Sequence, residues 1–362
     1  MKRVFKIIGL LVGLLAVLVV VLAAYIYLSA IAPSRPVGFT QVIATDPGHP
    51  QIPVAVWYPT TAKPGFVLLG MRGMRVASNG PIAGRGLPLV VITHGTGASG
   101  ISHADTAIAL AENGIVVAAI THPGDNFRDG SDVGKPDWLV NRVRHVERTI
   151  DWMLGKWSGA AHLNPGKIGV FGYSAGATTA LIAIGGKPDL ARIATHCAQH
   201  PEFVCKLTSP EAYRTAKPTA WQGDPRIRAA VIAAPGLGFT FEPNGLSGVR
   251  AAVQLWSGIA DQTVPYATNA GVVRQLLPVA PEEHRVPGAT HYAFLTPCGL
   301  LGPPQLCRDN SGFDREDFHK SFNQSMVRFF TTQLAQPSAT TRSAANPLHE
   351  RHDCADGHER TR

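Results

Sequence analysis

The chain predicts an α/β domain built on a mostly parallel, doubly wound sheet with helices on both faces, preceded by an N-terminal transmembrane helix. Three observations predict it. Short apolar runs alternate with helical segments from Leu87 to Leu334, and an uncharged apolar run fills Ile7 to Ala32. The third is the pentapeptide Gly172-Tyr173-Ser174-Ala175-Gly176, set between the apolar run Ile168 to Phe171 and the small-residue stretch Ala175 to Ile182, a strand, sharp turn and helix in succession.

The Ile7 to Ala32 run of about 26 residues, at about 1.5 Å each, spans about 39 Å, more than the roughly 30 Å hydrocarbon core. Lys2, Arg3 and Lys6 precede it, so by the positive-inside rule everything after Pro33 lies on the non-cytoplasmic side, periplasmic or extracellular. A removed signal peptide is the competing reading, because Ala30-Ile31-Ala32 resembles a cleavage site. The run is far longer than the usual signal core, and Pro33 after the cut hinders cleavage, which favours an anchor.

Residues 1–32 are thus read as a signal anchor, 33–37 as a linker, and 38–334 as one catalytic domain with insertions at 187–225 and 297–312. Residues 335–362 are polar and aperiodic and are read as a disordered tail. A charged fraction of 16% beside 45% hydrophobic residues is that of a globular protein. Of the basic residues behind the net charge of +8, Lys2, Arg3 and Lys6 precede the apolar segment and Arg342, Arg351, Arg360 and Arg362 lie in the tail. No basic stripe interleaved with aromatics runs through the domain, so nucleic acid is not an expected partner.

Gly38 to Ala44 and Ile52 to Tyr58 read as early strands forming a hairpin, and the glycine-rich stretch Thr61 to Gly86 as irregular. Leu87 to Thr93 is a strand buried on both faces, Ala104 to Asn113 a helix stopped by Gly114, and Ile115 to Ile120 the next strand. Asp137 to Trp157 is the clearest helix, with Trp138, Val143, Val146, Ile150, Met153 and Trp157 at three- and four-residue steps after Pro136. Strands follow at Ile168 to Phe171, Ile227 to Ala233, Ala252 to Ser257 and His284 to Val286. Helices are expected at Tyr266 to Leu277 and Arg315 to Leu334.

Five cysteines fit an oxidising compartment. Cys197 with Cys205, and Cys298 with Cys307, are each close in loop-like segments and predict two disulfides, leaving Cys354 unpaired. The clusters His196, Cys197, His200, Cys205 and His349, His352, Cys354, His358 match no strong zinc template, and no metal is expected.

A serine hydroxyl is a poor nucleophile at neutral pH and needs a histidine to take its proton, oriented in turn by a carboxylate. In a doubly wound sheet both should follow later strands at their carboxyl ends. Asp261, after the strand ending at Ser257, and His291, after the strand ending at Val286, meet that requirement in the order Ser174, Asp261, His291. Ala175 N–H and an N–H of the loop His94-Gly95-Thr96-Gly97, assigned to Thr96, are the expected oxyanion donors.

Gly95, Gly97, His122, Tyr173 and Tyr292 are candidates for lining the substrate site. His122 and Asp125 admit a second reading, as residues that fix a turn, and His94 reads as a brace for the oxyanion loop. Phe239, Phe241, Tyr292 and Phe294 flank the catalytic loops and are either an acyl pocket or ordinary packing.

These segments, with Thr121-His-Pro-Gly-Asp-Asn126, Asp261-Gln-Thr-Val-Pro265 and His291-Tyr-Ala-Phe-Leu-Thr-Pro-Cys298, resemble the predicted dienelactone hydrolase group of α/β-hydrolases, which is similar to the platelet-activating factor acetylhydrolases. The likeness covers about residues 40 to 334. It implies an α/β-hydrolase fold and a serine esterase without cofactor or metal, acting on lipid or small-molecule carboxylic esters.

Two positions depart from those relatives. Dienelactone hydrolases use a cysteine where Ser174 stands, and acetylhydrolases carry their acid just after the strand matching Ile227 to Ala233, where this chain has Ala234 and Pro235. Acyl transfer by the same residues, or binding without catalysis on this scaffold, are the alternative functions.

Overall fold

The computed structural model describes residues 2–69, 72–214, 219–299 and 302–335. The expected tail beyond Ala335, with Cys354 and the second histidine cluster, lies outside the described residues. Helix α1 (Lys2–Leu28) leads to β1 (Val37–Ala44) and β2 (Ile52–Pro59), an antiparallel hairpin as expected. A second hairpin follows, β3 (Gly65–Leu69) and β4 (Arg72–Ser78).

Then come β5 (Leu87–Thr93), α2 (Ala104–Glu112), β6 (Val116–Ile120), α3 (Trp138–Gly155), β7 (Leu163–Tyr173) and α4 (Ala175–Ala183). Short helices α5 (Arg192–Gln199) and α6 (Pro210–Arg214) occupy the first insertion. The domain finishes with β8 (Ile227–Ala233), β9 (Ala252–Gly258), α7 (Ala270–Leu276), β10 (Glu282–Val286), α8 (Pro304–Cys307) and α9 (Arg315–Ala335).

One ten-stranded sheet results, in the order β10-β9-β8-β7-β5-β6-β2-β1-β4-β3. From β10 to β6 every pairing is parallel, which requires helical crossovers and explains the alternation in the sequence. The strand order reverses at β5, flanked by β6 and β7. Loops leaving the carboxyl ends of β5 and β7 diverge there and open a crevice.

Each central strand is apolar throughout because it has two cores to fill. In β5, Leu89 and Val91 join the core under α3, α4 and α7, whereas Val90 and Ile92 join the one under α2 and α9. Helix α9 lies so close to the sheet that a Cβ on Gly169 would meet the Phe330 ring at 2.6 Å.

Three expectations are corrected. Thr61 to Gly86 is not irregular, because Met74 and Val76 are buried in the second core and hold β4 beside β1. The helix expected over Tyr266 to Leu277 breaks at Asn269 (φ −125°, ψ −90°), where the close-packed Gly238 donates its N–H to Asn269 Oδ1 at 2.9 Å. Nor are residues 33–37 a free linker: Glu112 accepts the Ser34 N–H at 2.7 Å, and Val37 already begins β1.

Both expected disulfides are present, Cys197–Cys205 and Cys298–Cys307. Bonded sulfur does not ligate zinc as thiolate, which removes the first metal cluster considered.

Gly169→Ala is expected to destabilise the domain by about 1–3 kcal/mol through overpacking against Phe330. Adding Phe330→Leu should recover part of that loss. Thermal unfolding of both single variants and the double variant measures the coupling.

Candidate active site

Backbone strain marks the site. Ser174 has φ 56° and ψ −121°, a conformation L-residues avoid at a cost of about 1–3 kcal/mol, and it sits between the last residue of β7 and the first of α4. The flanking glycines are sterically required. A Cβ on Gly172 would lie 2.2 Å from the Gly176 carbonyl oxygen, and one on Gly176 would lie 2.0 Å from that of Thr93. The turn therefore presses the start of α4 against the end of β5 and lifts the serine side chain off the sheet.

His291 lies 117 residues further on, yet its Nε2 is 3.0 Å from Ser174 Oγ and its Nδ1 is 2.7 Å from Asp261 Oδ2. Both partners of the contact between His291 and Asp261 are almost wholly buried. Asp261 is held in turn, since its Oδ1 accepts the N–H groups of Thr263 and Val264 at 2.9 and 2.8 Å. The Tyr173 hydroxyl donates to the His291 carbonyl at 2.9 Å and ties the histidine loop to the serine turn.

Thr96 and Ala175 border the same space as Ser174, and neither backbone N–H has an acceptor among the described residues. The loop carrying Thr96 is braced from behind by a buried polar network. Arg142 Nη1 meets Asp125 Oδ2 at 2.5 Å, and Nη2 donates to the His94 carbonyl oxygen. Asp125 also accepts the N–H of Gly97 and the indole N–H of Trp138, each at 2.7 Å.

His94 donates from Nδ1 to the Gly95 carbonyl at 2.6 Å and accepts the His122 N–H at Nε2, so both nitrogens of its neutral form are used. Thr93 Oγ1 is 2.7 Å from His122 Nε2, and His122 Nδ1 is 3.2 Å from His145 Nδ1. Burial, reinforced by the Arg142 charge, pushes His94 down to about 3, and burial with the Arg144 and Arg142 charges does the same to His145. Burial alone would raise the Asp125 carboxyl, but the Arg142 charge and the bonds from Gly97 and Trp138 outweigh it, so its pKa falls.

A cleft of about 550 Å³ opens over Ser174 and His291, with Gly95, Thr96, Gly97, Tyr173 and Tyr292 in its wall. A recess of about 30 Å³ lies on the other side of Ser174, bounded by Thr96, Ala175, Leu237 and Val204. Phe203 borders both, as do Thr96, Ser174 and Thr263. A hollow of about 770 Å³ beside α5 and α6 is lined by none of Ser174, Asp261 and His291.

The structure brings together Ser174, Asp261, His291, Thr96, Ala175, Gly95, Gly97 and Tyr292. It keeps His122 out of the cleft, because that side chain is fully buried behind the loop that carries Thr96 and engaged at both ring nitrogens. Tyr173 borders the cleft but is almost wholly buried, its hydroxyl being committed to the His291 carbonyl. Phe239, Phe241 and Phe294 are packed rather than cleft-lining: Phe239 stacks on His196 with centroids 3.5 Å apart, and Phe294 is wholly buried.

Sequence reading missed Arg142, Phe203, Leu69 and Arg72. Arg142 carried a signal, since it lies four residues after Trp138 and four before Val146 on the apolar stripe of α3, where an unpaired charge would not be tolerated. Phe203 sits in the first insertion, Leu69 and Arg72 in the stretch read as irregular, and nothing in their local sequence points at the cleft.

Among solved structures, the chain is similar to a ferulic acid esterase from Streptomyces cinnamoneus, at 18% identity and a TM-score of 0.57 over 88% of this chain and 97% of that one. It also matches a dienelactone hydrolase from Anabaena variabilis ATCC 29413, at 17% identity and a TM-score of 0.47 over 82% of this chain and 97% of that one. No family model matches, and no curated protein matches. With its sheet order and strand-end turns, the chain has the α/β-hydrolase fold.

The buried histidines set an acid limit on stability. His94 and His145 stay neutral in the folded domain down to about pH 3 but take up a proton near 6.5 when unfolded. The unfolded state thus binds more protons across that window, and stability falls as pH drops through it, by up to about 1.4 kcal/mol per unit per histidine. Urea midpoints measured from pH 7.5 to 4 should decline steeply below about 6.5, and His145→Gln should flatten the decline.

Proposed function

We propose that this protein is a serine ester hydrolase that works through an acyl-enzyme. The single observation that carries the reading is the His291 ring bridging Ser174 Oγ and Asp261 Oδ2 at hydrogen-bond distance, beside a strained serine and two unpaired N–H groups. Asp261 favours the tautomer with the proton on Nδ1, leaving Nε2 free to accept.

Ser174 Oγ attacks the ester carbonyl carbon while its proton passes to His291 Nε2. The negative charge gathering on the carbonyl oxygen is met by the Thr96 and Ala175 N–H groups at the amino end of α4. Collapse breaks the carbon–oxygen bond to the alcohol, which leaves with the proton from Nε2. Water then repeats the sequence on the acyl-serine: His291 takes its proton, the acid departs, and Ser174 is protonated again.

The two spaces around Ser174 assign the halves of the substrate. The leaving alcohol must lie within reach of His291, which borders the large cleft and not the small recess. The acyl group then enters the recess, whose volume of about 30 Å³ admits about two water-sized groups. Esters of short acids with bulky, largely apolar alcohols fit best.

Helix α1 has no buried residue, and its most apolar 18-residue window has a mean hydropathy of 3.2, as suits a bilayer-spanning anchor. Its basic start and the two disulfides of the domain support a catalytic domain on the non-cytoplasmic side.

Ser174→Ala is expected to abolish both fluorophosphonate labelling and hydrolysis of p-nitrophenyl acetate. Asp261→Asn should leave labelling slow but detectable and lower kcat by about three to four orders of magnitude. A labelled alanine variant would overturn the reading. In a series of p-nitrophenyl esters, kcat/KM should fall at least tenfold from acetate to octanoate. A flat or rising series would reverse the assignment of the two spaces.

A further inference from the structure

The anchor and the cleft share one structural element. Helix α1 ends at Leu28, and only Ser29 and Ala30 separate it from Ile31, which pairs alongside β4: its N–H reaches the Gly73 carbonyl and its carbonyl accepts the Arg75 N–H, both at 2.9 Å. The last turn of α1 also packs on this hairpin. The Tyr27 and Phe66 rings lie 5.5 Å apart, and the Arg75 guanidinium sits 4.7 Å over Tyr27. The far end of the same hairpin walls the cleft through Leu69 and Arg72, and Arg72 donates to the carbonyl of Pro297, another cleft residue.

These positions fix how far the cleft is from a bilayer. From Ile7 to Leu28, about 22 residues rise about 33 Å, close to the roughly 30 Å hydrocarbon thickness, so Tyr25 and Tyr27 fall at the interface, where aromatic residues collect. Arg72 is three residues from Arg75 along β4, about 10 Å. A headgroup layer is about 5–8 Å thick. The cleft wall is therefore within about two such layers of the hydrocarbon.

The hairpin surface itself is unusual for water. β3 is the edge strand of the sheet, yet Phe66 and Leu68 are 42% and 54% exposed. Edge strands in water are normally protected by charge or cover. Across the cleft mouth Phe127 is 63% exposed, with the Arg128 guanidinium 5.0 Å over its ring. Apolar side chains rimmed by arginines suit a headgroup layer.

We propose that the β3–β4 hairpin is a membrane-contact surface, seated through Phe66 and Leu68 in the headgroup layer of the bilayer that α1 spans, so that the cleft takes amphiphilic esters from that bilayer. The inference rests on the hydrolase reading and on α1 remaining attached. A cut after Ala32 would remove Ile31, which pairs with the sheet, and with it the short tether that holds the hairpin down.

The test uses the full chain reconstituted in phosphatidylcholine–phosphatidylglycerol vesicles. Tryptophan placed by Leu68→Trp should be quenched by brominated phospholipid well beyond the wild-type signal. Val279→Trp, exposed in the loop before β10 at the opposite edge of the sheet, should not. This readout needs no turnover, so it decides the surface even if the protein hydrolyses nothing.

The second readout is catalytic. Phe66→Ser/Leu68→Ser should lower turnover of a fluorogenic amphiphilic ester embedded in the vesicles at least tenfold, while kcat/KM for soluble p-nitrophenyl acetate stays within twofold, which also reports an intact fold. Absence of lipid quenching at position 68, or equal losses on both esters, would overturn the proposal.

Discussion

The closest backbone approach in the site is that of Gly176 to the carbonyl oxygen of Thr93, and the rest of the site depends on it. No side chain fits between the first turn of α4 and the end of β5. The approach places the serine turn against the loop that carries Thr96, so that Ser174 and the Thr96 and Ala175 amides follow adjacent strands at the switch point of the sheet. The positive φ of Ser174 is the conformational cost, and it is sustained because β7, buried on both faces, and the wholly buried α4 leave the turn no room to relax.

Support for that arrangement comes from two sides with different chemistry. Behind the oxyanion loop, Arg142 and Asp125 form a buried ion pair whose remaining donors and acceptors are occupied by Gly97, Trp138, His94 and Thr179. A charge pair taken out of water stabilises little by itself unless such bonds complete it. Its effect here is to fix where the Thr96 amide points. On the other side, Tyr173 anchors the His291 loop from the residue next to Ser174, coupling His291 and Ser174 through one side chain.

The insertions shape what reaches this machinery. The segment closed by the Cys197–Cys205 bond carries Phe203 and Val204 over Ser174, and Glu202 pins it to Thr268 and Asn269 at the start of α7. The second insertion, closed by Cys298–Cys307, supplies the far wall of the cleft. Together with the β3–β4 hairpin they enclose one large space and one small one, around a core whose plan is set by the parallel strands alone.

Much of this was legible in the residues because it is local. Strand and helix periods, the glycines around Ser174, the positions of Asp261 and His291 just after strands, and the paired cysteines each follow from steric or hydropathic rules acting over a few residues. Strand-end placement was enough to bring Ser174, Asp261 and His291 together because parallel strands all point their carboxyl ends the same way. What only the tertiary structure decided is how distant segments meet: that His122 turns inward to Thr93 and His145, that Arg142 braces a loop 48 residues earlier in the chain, that Phe203 borders both spaces beside Ser174, and that a glycine-rich stretch becomes the hairpin between α1 and the cleft. Those outcomes depend on burial and on hydrogen-bond partners brought together by packing, which no local period records.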